Sequence, residues 1–390
     1  MTLWEILKAN KTGIAPDMFT MLAASKMNGG RDRLHELTGT PPLSFKAKGK
    51  PLTAWSITGN TVQNGTPTPE NPVEVQGVGD YDSETGLYKI PVVTRGNNLL
   101  KLKEVDVKVQ GVTVSVKNNS IAVKGTATSS GGRTVYLSEN FILQPGTYFI
   151  SGDIVNGMVY CLTDRSNGTA VVASSTSKFT LTEKAEVAFG LNFISGASYD
   201  ATVNVMLNEG DKKFPYEPYH EPITTPIYLP TPLYSGEVLR SDGSREVKWG
   251  KLVLTGEETI TRHKIFADGV ISIRIPSLAV KKDSIVYCTH LQSTPFIKLY
   301  NNEIQGVSTH SSYILNNLYC LISGFTTLNQ YKDFFSTKYA AGTPVTVWYQ
   351  LEEPTTKTFT APQIPTINGT TVIDVDTAVK PERMTIKYRR

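Results

Sequence analysis

The chain has 390 residues, 39% hydrophobic and 19% charged, with 39 Lys and Arg against 35 Asp and Glu for a net charge of +4. At about 100–200 residues per domain this length implies two to four units, and the composition is that of a globular chain rather than a disordered one. So small a basic excess, with Lys281-Lys282, Lys212-Lys213 and Arg389-Arg390 isolated from one another, argues against a nucleic-acid partner.

The first stretch is helical in pattern. Leu3, Ile6 and Leu7 recur at helical spacing with Trp4 beside them, and Thr2 and Glu5 have the spacing of a capping box. Gly13 stops this helix. Pro16-Asp17 opens a second, which carries Met18, Met21 and Leu22 on one side, with Phe19 and Ala23 adjoining. A third piece, 31–37, has the pattern of one or two further turns. Helices this short are marginal alone. Residues 1–45 are therefore expected to be a helical attachment segment. Its apolar side chains Leu3, Trp4, Ile6, Leu7, Met18, Phe19 and Leu22 would dock on a partner subunit or an oligomer core, or on the chain's own β region.

After Pro41-Pro42 the pattern turns to strands. Short runs rich in Val, Ile, Thr, Tyr and Phe occur at 112–116, 120–124, 147–151, 187–191, 203–207, 270–275 and 345–349, several alternating apolar with polar residues. Hairpin signals recur at Asn64-Gly65, Asn167-Gly168, Asp242-Gly243, Asp268-Gly269 and Asn368-Gly369. Such spacing implies sandwiches or barrels. Proline-spaced connectors at 66–72, 217–232 and 353–362 set the expected boundaries: a small β unit at 46–96, a sandwich at 97–222, a β connector at 223–250, a second sandwich at 251–354 and a C-terminal β segment at 355–390. The three smaller pieces could be separate or could pair as one stem. His220-Glu221-Pro222 and Glu352-Glu353-Pro354 look alike, each followed by threonines, and read as a weak internal duplication.

Motifs for chemistry are sparse. Cys161, Cys288 and Cys320 are too far apart to spell a zinc or redox pair, and they read as buried free thiols. The five histidines form no helical pair, and no nucleophile elbow, phosphate loop or dinucleotide fingerprint is present. Asp80, Asp82 and Glu84 alternate as in a calcium loop. Gly86 falls one place late and Pro91 stands where the closing acid belongs, so a hairpin tip is the better reading. The adjacent acids Glu257-Glu258 and Glu352-Glu353 would face opposite ways on a strand and form no dyad. Tyr136, Tyr160, Tyr199, Tyr287 and Tyr313 are candidates for sugar stacking, with core packing the commoner fate for each. No run approaches 18 apolar residues and no secretory signal opens the chain, so neither membrane insertion nor export by a leader is expected.

Several motifs together resemble minor structural proteins of the tail tip or baseplate in phages and prophages of Gram-positive bacteria. They are 3–8, 12–17, the Gly- and Pro-spaced stretch 59–73, 88–93 with Asn97-Asn98-Leu99-Leu100, and the Phe214-Pro215-Tyr216-Glu217-Pro218 ending, which is similar to the close of carbohydrate-binding-type jelly rolls. The resemblance implies a mostly β chain with tandem jelly-roll-like β-sandwiches and a short α-helical N-terminal segment. It implies a virion tail-fibre or baseplate protein without catalytic residues or cofactor. Its partners would be other tail or baseplate proteins, copies of itself in a trimer, and host cell-wall polysaccharide. A tail-associated glycan hydrolase and a purely architectural baseplate subunit are the rival expectations.

Overall fold

The computed structural model describes residues 34–129, 134–153, 155–173, 176–262, 271–274, 280–281, 284–293, 306–309 and 317–390. The helices expected before residue 31 and the docking side chains Leu3, Trp4, Ile6, Leu7, Met18, Phe19 and Leu22 lie outside these residues. Among the described residues the chain is mostly β, with thirty strands and one helix.

The helical turns expected at 31–37 are corrected from residue 34 onward. Leu34–Gly39 is a strand, antiparallel to the last strand, Arg383–Arg389, with Leu34 opposite Arg389 and Gly39 opposite Met384. Its exposure alternates with period two. Ladder pairing with the far end of the chain outweighs the modest local helix preference of Leu, His and Glu. The β region therefore begins before Pro41-Pro42. The next strand, Leu43–Lys48, alternates cleanly: Leu43, Phe45 and Ala47 point inward while Ser44, Lys46 and Lys48 face water.

Segments far apart in sequence build one central pair of sheets. A seven-stranded sheet runs Leu34–Gly39, Arg383–Arg389, Ala54–Thr58, Val238–Arg240, Ser244–Leu254, Val345–Thr358, Val286–Cys288. A five-stranded sheet holds Leu43–Lys48, Asn368–Val375, Leu87–Gly96 and Ile223–Leu229, with Asp80–Asp82 paired on Leu87–Gly96. Their inner faces share a core that includes Phe45, Trp55, Ile57, Ile90, Ile227, Ile373 and Ile386. Strands from 46–96, 223–250 and 355–390 thus pair with one another in these two sheets.

The remainder forms two excursions from this central unit. Each leaves and returns on neighbouring antiparallel strands. Leu87–Gly96 leads out and Ile223–Leu229 leads back, with Thr94 opposite Ile223 and Tyr88 opposite Leu229. Ser244–Leu254 leads out and Val345–Thr358 leads back, from Ser244 opposite Thr358 to Leu254 opposite Val345. The two look-alike connectors, at Pro222 and Pro354, lie on these return paths.

The first excursion has a core of its own, built from a four-stranded, a five-stranded and a three-stranded sheet. Asn98 ties its two ends together. Its Oδ1 accepts from the Leu100 and Leu207 backbone N–H groups at 3.0 and 3.2 Å, and its Nδ2 donates to the Glu217 carbonyl at 3.0 Å. Glu217 then binds the central unit through Lys46 and through the Thr370 N–H and hydroxyl, at 3.1 and 2.8 Å. Burial alone would raise the Glu217 carboxyl, but the hydrogen bonds from Lys46 and Thr370 outweigh it and hold the carboxyl below its usual range.

The second excursion packs a four-stranded sheet and the helix Leu328–Ala340 around a third core. Sequence reading missed this helix. Thr327 caps it through a capping box with Gln330, and Tyr331 and Phe335, four apart, are buried in the core. Truncating either aromatic would cost roughly 3–5 kcal/mol. Cys288 and Cys320 also lie in this core, and Cys161 is buried in the first excursion; all three are free. Burial pushes the Cys288 thiol up to about 11 and the Cys320 thiol up as well, which keeps both protonated.

Candidate binding cleft

The central unit and the ribbon leading to the second excursion enclose a cleft of about 290 Å³. It is lined by four aromatic rings, Tyr81, Tyr88, Tyr234 and Trp348, and by the polar groups of Glu74, Gln76, Asp80 and Lys251. Each wall has a local cause. Asp80–Asp82 pairs with the start of Leu87–Gly96 in a hairpin, with Tyr81 opposite Tyr88. The turn is held by the Asp82 carboxylate accepting the Glu84 N–H at 3.0 Å, and Gly86 takes φ +68. This is the segment with calcium-like spacing, and its structure is a hairpin tip. The two tyrosine rings meet edge to face at 5.4 Å, and Tyr81 is 63% exposed.

Trp348 sits on the return strand opposite Lys251, whose Nζ lies 5.2 Å above its ring. Tyr234 approaches Trp348 edge-on at 6.3 Å. Burial, partly offset by the neighbouring Trp348 indole N–H, holds the Tyr234 phenol up at about 12. Among the described residues, no hydrogen bond of ordinary geometry engages the Trp348 N–H. Burial, then the Glu74 carboxylate, raises the Tyr88 phenol. Behind the rings, Val75, Tyr234, Trp249 and Trp348 form a small buried cluster with Tyr287 against it.

A fully buried ion pair positions the loop that carries Tyr234. Glu237 Oε2 accepts from Arg245 at 2.7 Å and from the Tyr234 N–H at 3.2 Å, while Oε1 accepts from the Lys248 and Trp249 N–H groups at 3.1 and 3.3 Å. Arg245 also donates to the Thr231 carbonyl and hydroxyl, both at 2.9 Å, and to the Pro232 carbonyl at 2.6 Å. Two glycines let the opposite wall close on this loop. A Cβ at Gly59 would stand 2.2 Å from the Tyr234 carbonyl oxygen, and one at Gly77 would stand 2.8 Å from Pro232 Cβ. The stretch 59–73 therefore starts at a close backbone approach, and it ends with Val73 donating to the Thr289 carbonyl at 2.7 Å.

The tyrosines singled out in sequence lie elsewhere. Tyr160 and Tyr199 are buried in the first excursion, donating to the Asp153 and Gly157 carbonyls. Tyr136 has one face covered by the Arg165 guanidinium at 4.5 Å. Tyr287 packs on Trp249 at 5.4 Å, and Tyr313 is outside the described residues. Of the adjacent acids, Glu258 accepts from the Thr255 and Gly256 N–H groups and so serves a turn, and Glu352 and Glu353 are exposed on the return strand. No family model and no curated protein matches this chain.

The cleft thus offers ring faces and edges, several hydrogen-bonding groups and a rim open to water. These are the elements of non-covalent recognition of a ligand with apolar CH faces and polar edges, such as a sugar. Glu74 and Asp80 are both exposed, and each is engaged: Glu74 accepts from Gln76 at 3.2 Å and Asp80 from the Ala378 N–H at 3.1 Å.

Proposed function

We propose that the chain is a structural protein of a phage tail fibre or baseplate that binds host cell-surface glycan without cleaving it. In this reading 97–222 and 251–354 are jelly-roll-like sandwiches in tandem. Residues ahead of the first strand attach the chain to other tail proteins, and the assembly is a homotrimer in the virion. The tail assignment rests on the resemblance carried by 3–8, 12–17, 59–73, 88–93 with 97–100, and 214–218. The last three of those motifs fall at joints of the fold: the cleft wall at Gly59, the Asn98 tie and the Glu217 anchor. Binding rests on one observation, the cleft that gathers Tyr81, Tyr88, Tyr234 and Trp348. Several copies on one particle would turn weak single sites into firm attachment.

The test is retention of the purified chain on host cell walls. Tyr81→Ala and Tyr88→Ala are each expected to weaken it roughly five- to ten-fold, the scale of one stacking contact. Absence of wall binding, or undiminished binding by the combined Tyr81→Ala/Tyr88→Ala variant, would refute the reading. Two carboxylates in a cleft are also what a glycan hydrolase needs, so a fall in wall-polymer viscosity on incubation would favour the enzyme instead.

A further inference from the structure

The cleft has an electrostatic sign opposite to that of the chain. The whole chain carries +4, yet residues 51–88, which supply the Glu74–Tyr88 side of the cleft, contain five acids and no Lys or Arg, and the nearest cation on that hairpin is Lys89, opposite Asp80. The acids are Glu70, Glu74, Asp80, Asp82 and Glu84. Some exposed acids elsewhere do have basic partners, as in Lys101–Glu221 and Lys387–Glu36. None of these five carboxylates forms an ion pair among the described residues. Glu74 and Asp80 line the cleft itself.

Ring faces add to this field, because the aromatic quadrupole is negative over the face and attracts cations. The structure already uses that attraction once, with Lys251 over Trp348. Lys251 is the single cation among the lining residues, and it stands against two carboxylates. The exposed Tyr81 ring and the half-buried Tyr88 ring, beside two acids that form no ion pair, complement an ammonium group and repel a carboxylate or phosphate.

We infer that the cleft selects sugar chains bearing free amino groups over neutral ones, and neutral ones over anionic ones. The inference rests on the glycan-binding reading above and specifies its ligand.

Titration calorimetry on the full chain tests it with three probes of equal length: a glucosamine oligosaccharide, its N-acetylated counterpart and a galacturonate oligosaccharide. Mildly acid buffer keeps the sugar amines protonated. The amine probe is expected to bind roughly five-fold more tightly than the N-acetylated one, the scale of two exposed charge contacts. Added salt should narrow that ratio. In Glu74→Gln/Asp80→Asn the ratio is expected to fall to near one; both side chains are exposed and retain an acceptor oxygen, so the fold should survive. Galacturonate binding as tightly as the amine probe, or an amine preference that persists in the double variant, would overturn the inference and leave glycan binding standing. Failure of all three probes to bind would overturn the inference, and retention on host cell walls would then decide the glycan-binding reading separately.

Discussion

Arg245 and Glu237 show at single-residue scale what holds the cleft in shape. Two opposite charges are removed from water, and their mutual contact is supplemented by backbone groups on both sides. Removing one partner leaves the other charge buried, which typically costs about 3–5 kcal/mol. Glu237→Ala should therefore lower stability to denaturant by that order. Adding Arg245→Leu should restore only part of the loss, because the Tyr234, Lys248 and Trp249 N–H groups still lack their acceptor. Full recovery in the double variant would show that the carboxylate serves the arginine alone. His290 carries a different consequence. It is buried, its Nδ1 meets the Thr289 hydroxyl at 2.8 Å, and burial, then Lys338, pushes its pKa down to about 4 from 6.5. Between those values the unfolded chain binds a proton that the folded chain refuses. Stability should thus be greatest above 6.5 and fall as pH drops towards about 4, by at most about 3 kcal/mol. Denaturant midpoints followed across that window should fall less steeply in His290→Gln. Parallel profiles for the two proteins would rule the histidine out as the cause.

At the scale of elements, strands with one wet face were legible because alternation is a local signal. The runs read at 112–116, 120–124 and 147–151 lie within Val112–Lys117, Ser120–Thr126 and Gly146–Gly152. Asn167-Gly168 and Asp242-Gly243 do turn between adjacent paired strands. Other features were set by partners distant in sequence. The run 203–207 reads as one strand, yet Asn204 breaks it: its N–H bonds to Asp153, Ser198–Val203 joins the four-stranded sheet, and Val205–Glu209 joins the three-stranded one. Asn368-Gly369 begins a strand instead of closing a hairpin. The helix Leu328–Ala340 did leave a local trace, the Thr327–Gln330 cap, in a chain whose neighbouring runs all read as β. The cleft left almost none. Its lining comes from 74–81, 88, 232–234, 251, 348 and 378–379, positions that only sheet pairing brings together. The one readable hint was Tyr81, a large ring between two acids on a hairpin, where an apolar side chain has no core to enter.

For the molecule as a whole, the pairing of outgoing and returning strands makes each excursion topologically a long hairpin loop of the central unit. The first is the cleaner case. Its core draws only on residues from 99 to 207, and the central core draws on none of them. The central unit should then fold without it. Replacing residues 95–222 by Asn-Gly would join Thr94 to its cross-strand neighbour Ile223 through a two-residue hairpin turn. Closing so short a loop also removes an entropic cost that grows with the logarithm of loop length. What is lost is the pairing of Arg95 and Gly96 with Val372 and Thr371 at the end of the outgoing strand, and the Glu217 anchor on Lys46 and Thr370, an attachment between units. The shortened chain is expected to give a β-type circular dichroism spectrum, to unfold cooperatively and to retain the cleft, none of whose lining residues lies between 95 and 222. A shortened chain that is compact but binds hydrophobic dyes and melts without a transition would mean that the first excursion completes the central core. If the shortened chain folds and still binds glycan, the excursion is an exchangeable module on a constant scaffold, and the scaffold itself contacts the ligand.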